Sequence, residues 1–287
     1  MRRVEILPGL ETSVLGFGCA PILGSVDGKT ASAAVTKALD LGITHFDLAR
    51  SYGYGKAEKF VGGLLRGKRG EVTIATKFGI EATELASLLA PLKPLLRAVK
   101  RQRSQCRKEA GIISQPSPPD SRSGAKLADY FHRRVPLTPR AMRSSLEKSL
   151  KEIGTDYVDF FLIHEPPSMV FSFKELVMEA DQLKQEGKIR AFGLALMRER
   201  FSDHELYLNT ADLLQFNNSP SSHHYAETLS MRADLPNIFF SPFRNAYPQG
   251  SCASILKKIT ADFPKSITLC SMFNPRHIQE NAAAIIE

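Results

Sequence analysis

The sequence predicts an α/β fold, a (β/α)8 (TIM) barrel with a basic insertion after its third strand. Three observations carry this. Eight short apolar runs recur along the chain, segments with helical spacing of apolar residues separate them, and no Gly-x-Gly-x-x-Gly follows the first run. Strands alternating with helices build a parallel sheet clad in helices. The missing glycine motif argues against a doubly wound open sheet, the competing α/β solution.

A single barrel domain over residues 1–287, with an insertion at about 80–137, suits the length of 287 residues. Hydrophobic content of 43% and charged content of 24% are those of a chain that buries a real core. No apolar run reaches the ~20 residues of a membrane span. The start of the chain, Met1-Arg-Arg-Val-Glu-Ile6, has no apolar leader, so a cytoplasmic protein is expected. Cys19, Cys106, Cys252 and Cys270 are scattered without ligand-like spacing and read as reduced thiols.

In chain order, residues 4–7 before Pro8-Gly9 read as a hairpin strand, and 14–19 as the first barrel strand. A helix over 30–41 has Ala34, Val35, Ala38 and Leu39 on one side and stops at Gly42. Strand two is 43–46, a helix covers 57–65, and strand three, 72–76, ends at Lys77. After the insertion, Thr138-Pro139 is an N-cap followed by proline at the first helical position. That helix runs to Gly154. The nearly all-apolar residues 157–163 suit a strand covered on both faces. Helices are then expected from Phe173 to Gly187, at 203–209, 223–231 and 251–261, and from Pro275 to the end. They alternate with strands at 189–196, 212–216, 237–241 and 266–270.

The net charge of +8 has a local origin. Between Lys93 and Arg134 lie eleven Lys and Arg against three acids, an excess equal to the whole net charge. The remainder is balanced, so neither nucleic acid nor a membrane surface is expected as a partner. The insertion reads most simply as a solvated surface, with residues 85–106 partly helical; a preference for anionic substrates or for a partner is the functional reading of its charge.

In a barrel, side chains at the carboxyl ends of the strands converge on one mouth. Asp47 and Tyr52 follow strand two, Lys77 follows strand three and His164 follows strand four. Alone, an Asp at a strand end is as readily a helix cap, and a lone Lys or His is usually structural. Together they form a chemical set. An ammonium beside a phenol favours the phenolate and lowers its pKa. A carboxylate holds the ammonium in place, and an imidazole orients a carbonyl oxygen. The set suits protonating an oxygen while a hydride reaches the adjacent carbon, and a cofactor must supply that hydride. A metal site is not indicated: in His223-His224 the neighbouring side chains diverge, and no ligand cluster supports them.

The segments Phe46-Asp-Leu-Ala-Arg-Ser-Tyr-Gly53, Ala75-Thr-Lys-Phe-Gly79, residues 142–156 and residues 157–166 together resemble the aldo-keto reductases. The resemblance covers most of the chain outside the insertion. It implies an NAD(P)H-dependent oxidoreductase that reduces an aldehyde or ketone to an alcohol, reversibly, on a barrel that binds nicotinamide without a Rossmann domain. Tyr52 is then the general acid, assisted by Lys77 and Asp47, and His164 positions the carbonyl. Gln215 matches the glutamine that contacts the nicotinamide carboxamide. Phe240 and the following Ser241 match the aromatic stack. Arg276, Glu280 and Asn281 match the segment at the adenosine phosphate end. NADP(H) is the expected cofactor, with NAD(H) as the alternative. The chain departs from the family at Gly193-Leu-Ala-Leu196, where Gly-x-Ser-Asn is usual, so two polar carboxamide contacts are absent. Ser271-Met272 replaces Lys-Ser, and His277 stands where arginine is usual. These departures admit an alternative reading, a nicotinamide-binding barrel that serves mainly as a sensor or partner subunit.

Overall fold

A computed structural model describes residues 1–89, 131–245 and 250–286. The chain opens with an antiparallel hairpin, β1 (Arg3–Leu7) and β2 (Leu10–Ser13), turning at Pro8-Gly9. Then β3 (Leu15–Gly18), α1 (Gly28–Asp40), β4 (His45–Asp47), α2 (Ala57–Leu64) and β5 (Thr73–Phe78) follow in βα order. A short ribbon of β6 (Ile80–Ala82) and β7 (His132–Arg134) comes next, with α3 (Glu84–Leu89) between its strands. The order resumes with α4 (Pro139–Ile153), β8 (Val158–His164), α5 (Phe173–Gln185) and β9 (Ile189–Ala195). It ends with α6 (Glu205–Leu208), β10 (Leu213–Asn217), α7 (Tyr225–Arg232), β11 (Asn237–Phe240), α8 (Cys252–Asp262), β12 (Ser266–Cys270) and α9 (Pro275–Ala283).

The eight strands β3, β4, β5, β8, β9, β10, β11 and β12 pair in parallel, each with its successor, and β12 closes the barrel on β3. All eight lie at the predicted places. The strand sequences show why: β5 and β10 are buried at every position, as strands between a packed interior and a helical coat must be.

The helices obey local rules. Asp27 caps α1, its side chain accepting from the Thr30 amide at 3.0 Å, and Ala31, Ala34, Val35 and Ala38 face the sheet. Thr138 caps α4, proline fills its first turn, and Gly154 ends it at φ 77°. Helices α2 and α4 pack closely because Gly62 carries no side chain; a Cβ there would lie 2.1 Å from the Ile153 carbonyl oxygen.

Two elements depart from the sequence expectation. The helix expected at 203–209 is a 3-10 segment, Arg198–His204, running into the single turn α6. The β6–β7 ribbon was not foreseen. Its three-residue strands are too short and too charged to register as strands. It roots the insertion on the barrel: the Val135 amide donates to the Gly79 carbonyl at 2.9 Å, directly after β5. Most of the basic segment, residues 90–130, lies outside the described residues.

Candidate active site

A cavity of about 1100 Å³ opens at the carboxyl ends of the strands. Asp47, Tyr52, Lys77, His164, Gln215, Phe240, Ser241, Glu280 and Asn281 all line it. Nine of the ten residues singled out from sequence therefore meet at one site. Arg276 is the exception: its side chain is 81% exposed and pairs with Glu280 at 2.7 Å. Its neighbour His277 faces the cavity instead.

Residue parity along β4 and β5 places the central group. Asp47 ends β4 pointing inward, and Lys77 lies near the end of the adjacent β5, fully buried. Lys77 Nζ donates to Asp47 Oδ1 at 2.7 Å and to the Leu48 carbonyl at 2.8 Å, and meets Tyr52 Oη at 3.3 Å. The ammonium thus stands between the carboxylate and the phenol. Gln215 Nε2, reaching across from β10, donates to the same Asp47 oxygen at 2.7 Å.

Tyr52 opens a tight turn, Tyr52–Gly55, in which Gly53 and Tyr54 both adopt left-handed backbone, at φ 58° and 60°. Glycine is required at 53, since a Cβ there would sit 2.6 Å from the Ile22 carbonyl oxygen. The turn swings the phenol back over the strand ends. The His164 ring stands edge-on to the Tyr52 ring, with centroids 6.0 Å apart, and its buried Nδ1 has no partner among the described residues.

The electrostatics correct one expectation. Lys77 pulls the Tyr52 phenol down, as its charge should, but burial is the larger effect. Burial, with Asp47 adding to it, pushes Tyr52 up to about 12. Burial also opposes the Lys77 charge, yet Asp47 and Tyr52 outweigh it and the ammonium is held above its ordinary range. Burial and the charges of Lys77, Arg134 and His132 push His164 down to about 3. At neutral pH the site holds a protonated phenol, an ammonium and a neutral imidazole.

The other half of the cavity runs past Phe240, Ser241 and Arg244 to Ser271, Met272, His277, Glu280 and Asn281. Ser271 Oγ donates to the Gly18 carbonyl at 3.1 Å, which fastens this wall to β3. Ala195 and Leu196 present apolar surface at the end of β9. Sequence reasoning missed Arg244, Ser251 and Cys252 in the lining: Arg244 belongs to the connection after β11, and Ser251 and Cys252 begin α8, where they read only as the start of a helix. Among the described residues no cluster of His, Cys, Asp and Glu could hold a metal.

The fold and site together define a (β/α)8 barrel with a carboxylate, ammonium, phenol and imidazole gathered at its mouth. Residues 14–200 match the model of the aldo/keto reductase family, and the chain belongs to that family. It is 28% identical over 193 residues to an aldo-keto reductase, YhdN, of Bacillus subtilis, covering 65% of this chain and 44% of the relative. It is 27% identical over 190 residues to an NADH-specific methylglyoxal reductase of Escherichia coli, covering 65% of this chain and 47% of the relative. The chain spans about half the length of the curated relatives it matches. An aldo-keto reductase of Klebsiella pneumoniae, solved in complex with NADPH, superposes with a TM-score of 0.65 at 19% identity, covering 99% of this chain and 89% of that one. At that identity the likeness is one of fold.

Proposed function

We propose that this chain is one barrel domain that reduces an aldehyde or ketone to an alcohol, reversibly, with NADP(H) preferred and NAD(H) as the alternative. The observation that carries the reading is the position of Lys77 Nζ between Asp47 and Tyr52 at a mouth that opens into a large cavity. Related proteins bind or use both cofactors, one being NADH-specific and another solved with NADPH.

At about 1100 Å³ the cavity slightly exceeds the ~300–1,000 Å³ range of ligand sites, which suits a dinucleotide together with a small carbonyl compound. Gln215 and Phe240 would hold the nicotinamide, and Ser271, His277, Glu280 and Asn281 the far end. Arg276, turned to solvent and paired, would not contact it in this arrangement. A bound nicotinamide cofactor supplies the hydride. The protein's own residues do the rest.

His164, neutral and lining the cavity beside Tyr52, orients the substrate oxygen toward the phenol. Tyr52 stays protonated at neutral pH, so the proton is in place before it is needed. As the phenol gives up that proton, the Lys77 ammonium stabilises the developing phenolate, and Asp47 keeps the ammonium charged and fixed. Burial makes these charges act over a low-dielectric gap.

The test is NADPH and NADH oxidation against a panel of carbonyl compounds, with the Tyr52→Phe variant beside the wild type. Wild-type turnover that falls by about 10²–10⁴ in the variant supports the reading. Equal rates in both proteins would overturn it.

A further inference from the structure

A second buried charge lies directly behind the site, and the chemistry described above leaves it unused. Glu58, on the first turn of α2, is 1% exposed. Thr76 Oγ1 donates to its Oε1 at 2.6 Å, and Arg50 Nη1 donates to its Oε2 at 2.7 Å. Arg50 is two residues before Tyr52 in the chain. Thr76 is the residue before Lys77, and alternation along the strand turns it outward, toward α2, as Lys77 turns inward.

We propose that Glu58 is a positioning residue: its buried carboxylate ties the turn carrying Tyr52 to the strand carrying Lys77, and so sets the spacing between phenol and ammonium. This rests on the reading of Tyr52 as proton donor. Three further observations support it.

Lys77 does not itself fix the phenol. Its short contacts, at 2.7 and 2.8 Å, go to Asp47 and the Leu48 carbonyl on the β4 side, and Tyr52 Oη is the most distant of its three partners at 3.3 Å. The position of the phenol is therefore set by the turn. That turn also needs holding. Left-handed backbone at the non-glycine Tyr54 is strained and persists only where surrounding contacts enforce it. The Arg50–Glu58 pair closes across the turn, joining the residues on either side of it, and the Arg50 side chain is itself only 14% exposed.

An ion pair is an expensive way to fasten two elements, because desolvating both charges offsets much of their attraction. Apolar residues of similar size would serve packing equally well. What the carboxylate adds is direction: two oxygens, each spent on one donor, fix two chain segments relative to each other. A shift of about 1 Å at a reacting group can lower a rate by about 10².

The experiment compares Glu58→Gln, Thr76→Val and the Arg50→Met/Glu58→Met double variant with wild type and Tyr52→Phe. Each is measured for kcat, KM for an aldehyde, Kd for NADPH by fluorescence, and thermal midpoint. Glu58→Gln is expected to lower kcat by about 10–100-fold with KM and Kd within about twofold, the signature of a lost transition-state alignment. The double variant, which removes both buried charges together, is expected to regain the midpoint lost in Glu58→Gln while kcat stays at least about tenfold down. Should Glu58→Gln not fold, Thr76→Val decides: it removes one donor only and is expected to lower kcat by about three- to tenfold.

Full kcat in a folded single variant, or a double variant that recovers kcat along with its midpoint, would reduce Glu58 to a packing role. The two readings fail separately. An inactive Tyr52→Phe beside a fully active Glu58→Gln sinks this inference alone, whereas an active Tyr52→Phe sinks the assignment of the site.

Discussion

The same two strands carry a buried polar pair at each end, and the pairs behave differently. At the floor, His45 on β4 and Thr73 on β5 are register partners, with His45 Nδ1 and Thr73 Oγ1 2.9 Å apart. Thr12 from the β1–β2 hairpin reaches Thr73 at 2.7 Å. Two residues along β4 and four along β5 lie Asp47 and Lys77, joined at 2.7 Å at the mouth. The floor pair is neutral: burial, then the Lys77 charge, pushes His45 down to about 3. The mouth pair is ionic. Neutral hydrogen bonds suffice where a hairpin seals the barrel and nothing enters. Charge is retained where a cavity opens, and there it can act on whatever enters.

The largest effect expected from this contrast comes from breaking the mouth pair on one side. Lys77→Met leaves the buried Asp47 carboxylate with Gln215 as its one side-chain donor among the described residues. Loss of one partner of such a pair costs about 3–5 kcal/mol, and the same change removes the group proposed to stabilise the phenolate. Both the urea midpoint and turnover should fall steeply. Asp47→Asn/Lys77→Met should recover much of the midpoint and none of the turnover. Recovery of turnover in the double variant would mean that the pair is structural, like the floor.

At the floor the reverse split is expected. Thr73→Val strips partners from His45 Nδ1 and Thr12 Oγ1, both buried. His45 Nε2 already lacks one among the described residues. The cost should be about 1–3 kcal/mol in urea unfolding, with kcat unchanged. A loss of kcat at constant KM would show that the two ends of the strands are coupled.

This contrast was half legible in the sequence. Asp47, Tyr52, Lys77 and His164 could be read because each stands at a break between an apolar run and polar chain, and strand ends in a barrel share one rim. Glu58 and Gln215 were harder. Glu58 sits at a helix position where an acid normally faces water, and only its burial reveals that it does not. Gln215 was singled out for a ligand, whereas its bond to Asp47 crosses 168 residues of sequence that no local pattern links. The sequence could not show that Arg276 turns to solvent while His277 lines the cavity, because adjacent residues on a helix point about 100° apart and the choice requires knowing the rotation of α9. The effect of burial on Tyr52 was invisible for the same reason: the sequence shows neighbours, and desolvation depends on everything else.

A smaller effect tests the neutral floor through pH. The folded His45 titrates near 3 and an ordinary histidine near 6.5, so between those values the unfolded chain binds the additional proton. Stability contributed by a neutral His45 is complete above about pH 6.5 and is lost progressively as pH falls toward 3. His164 has the same sign and window. Urea unfolding of wild type and His45→Phe between pH 7.5 and 4.5 should differ in slope by up to about 1.4 kcal/mol per pH unit, with the wild type the steeper. Parallel slopes would mean that His45 is protonated in the fold despite its burial.

The smallest effect concerns the cavity wall where Ala195 ends β9 and Leu196 follows it. Apolar groups there offer a carboxamide no partner, and the Leu196 amide is already committed to the Gln215 carbonyl at 2.9 Å. Leu196→Asn would place a donor and an acceptor at that wall, and one added hydrogen bond contributes about 0.5–1.5 kcal/mol. The Kd for NADPH should therefore tighten by about two- to tenfold, with kcat little changed because the half proposed to donate the proton is untouched. NADH should gain equally, since the carboxamide is common to both cofactors. A gain confined to one cofactor would place Leu196 near the adenosine end and reverse the orientation proposed for the cofactor in the cavity.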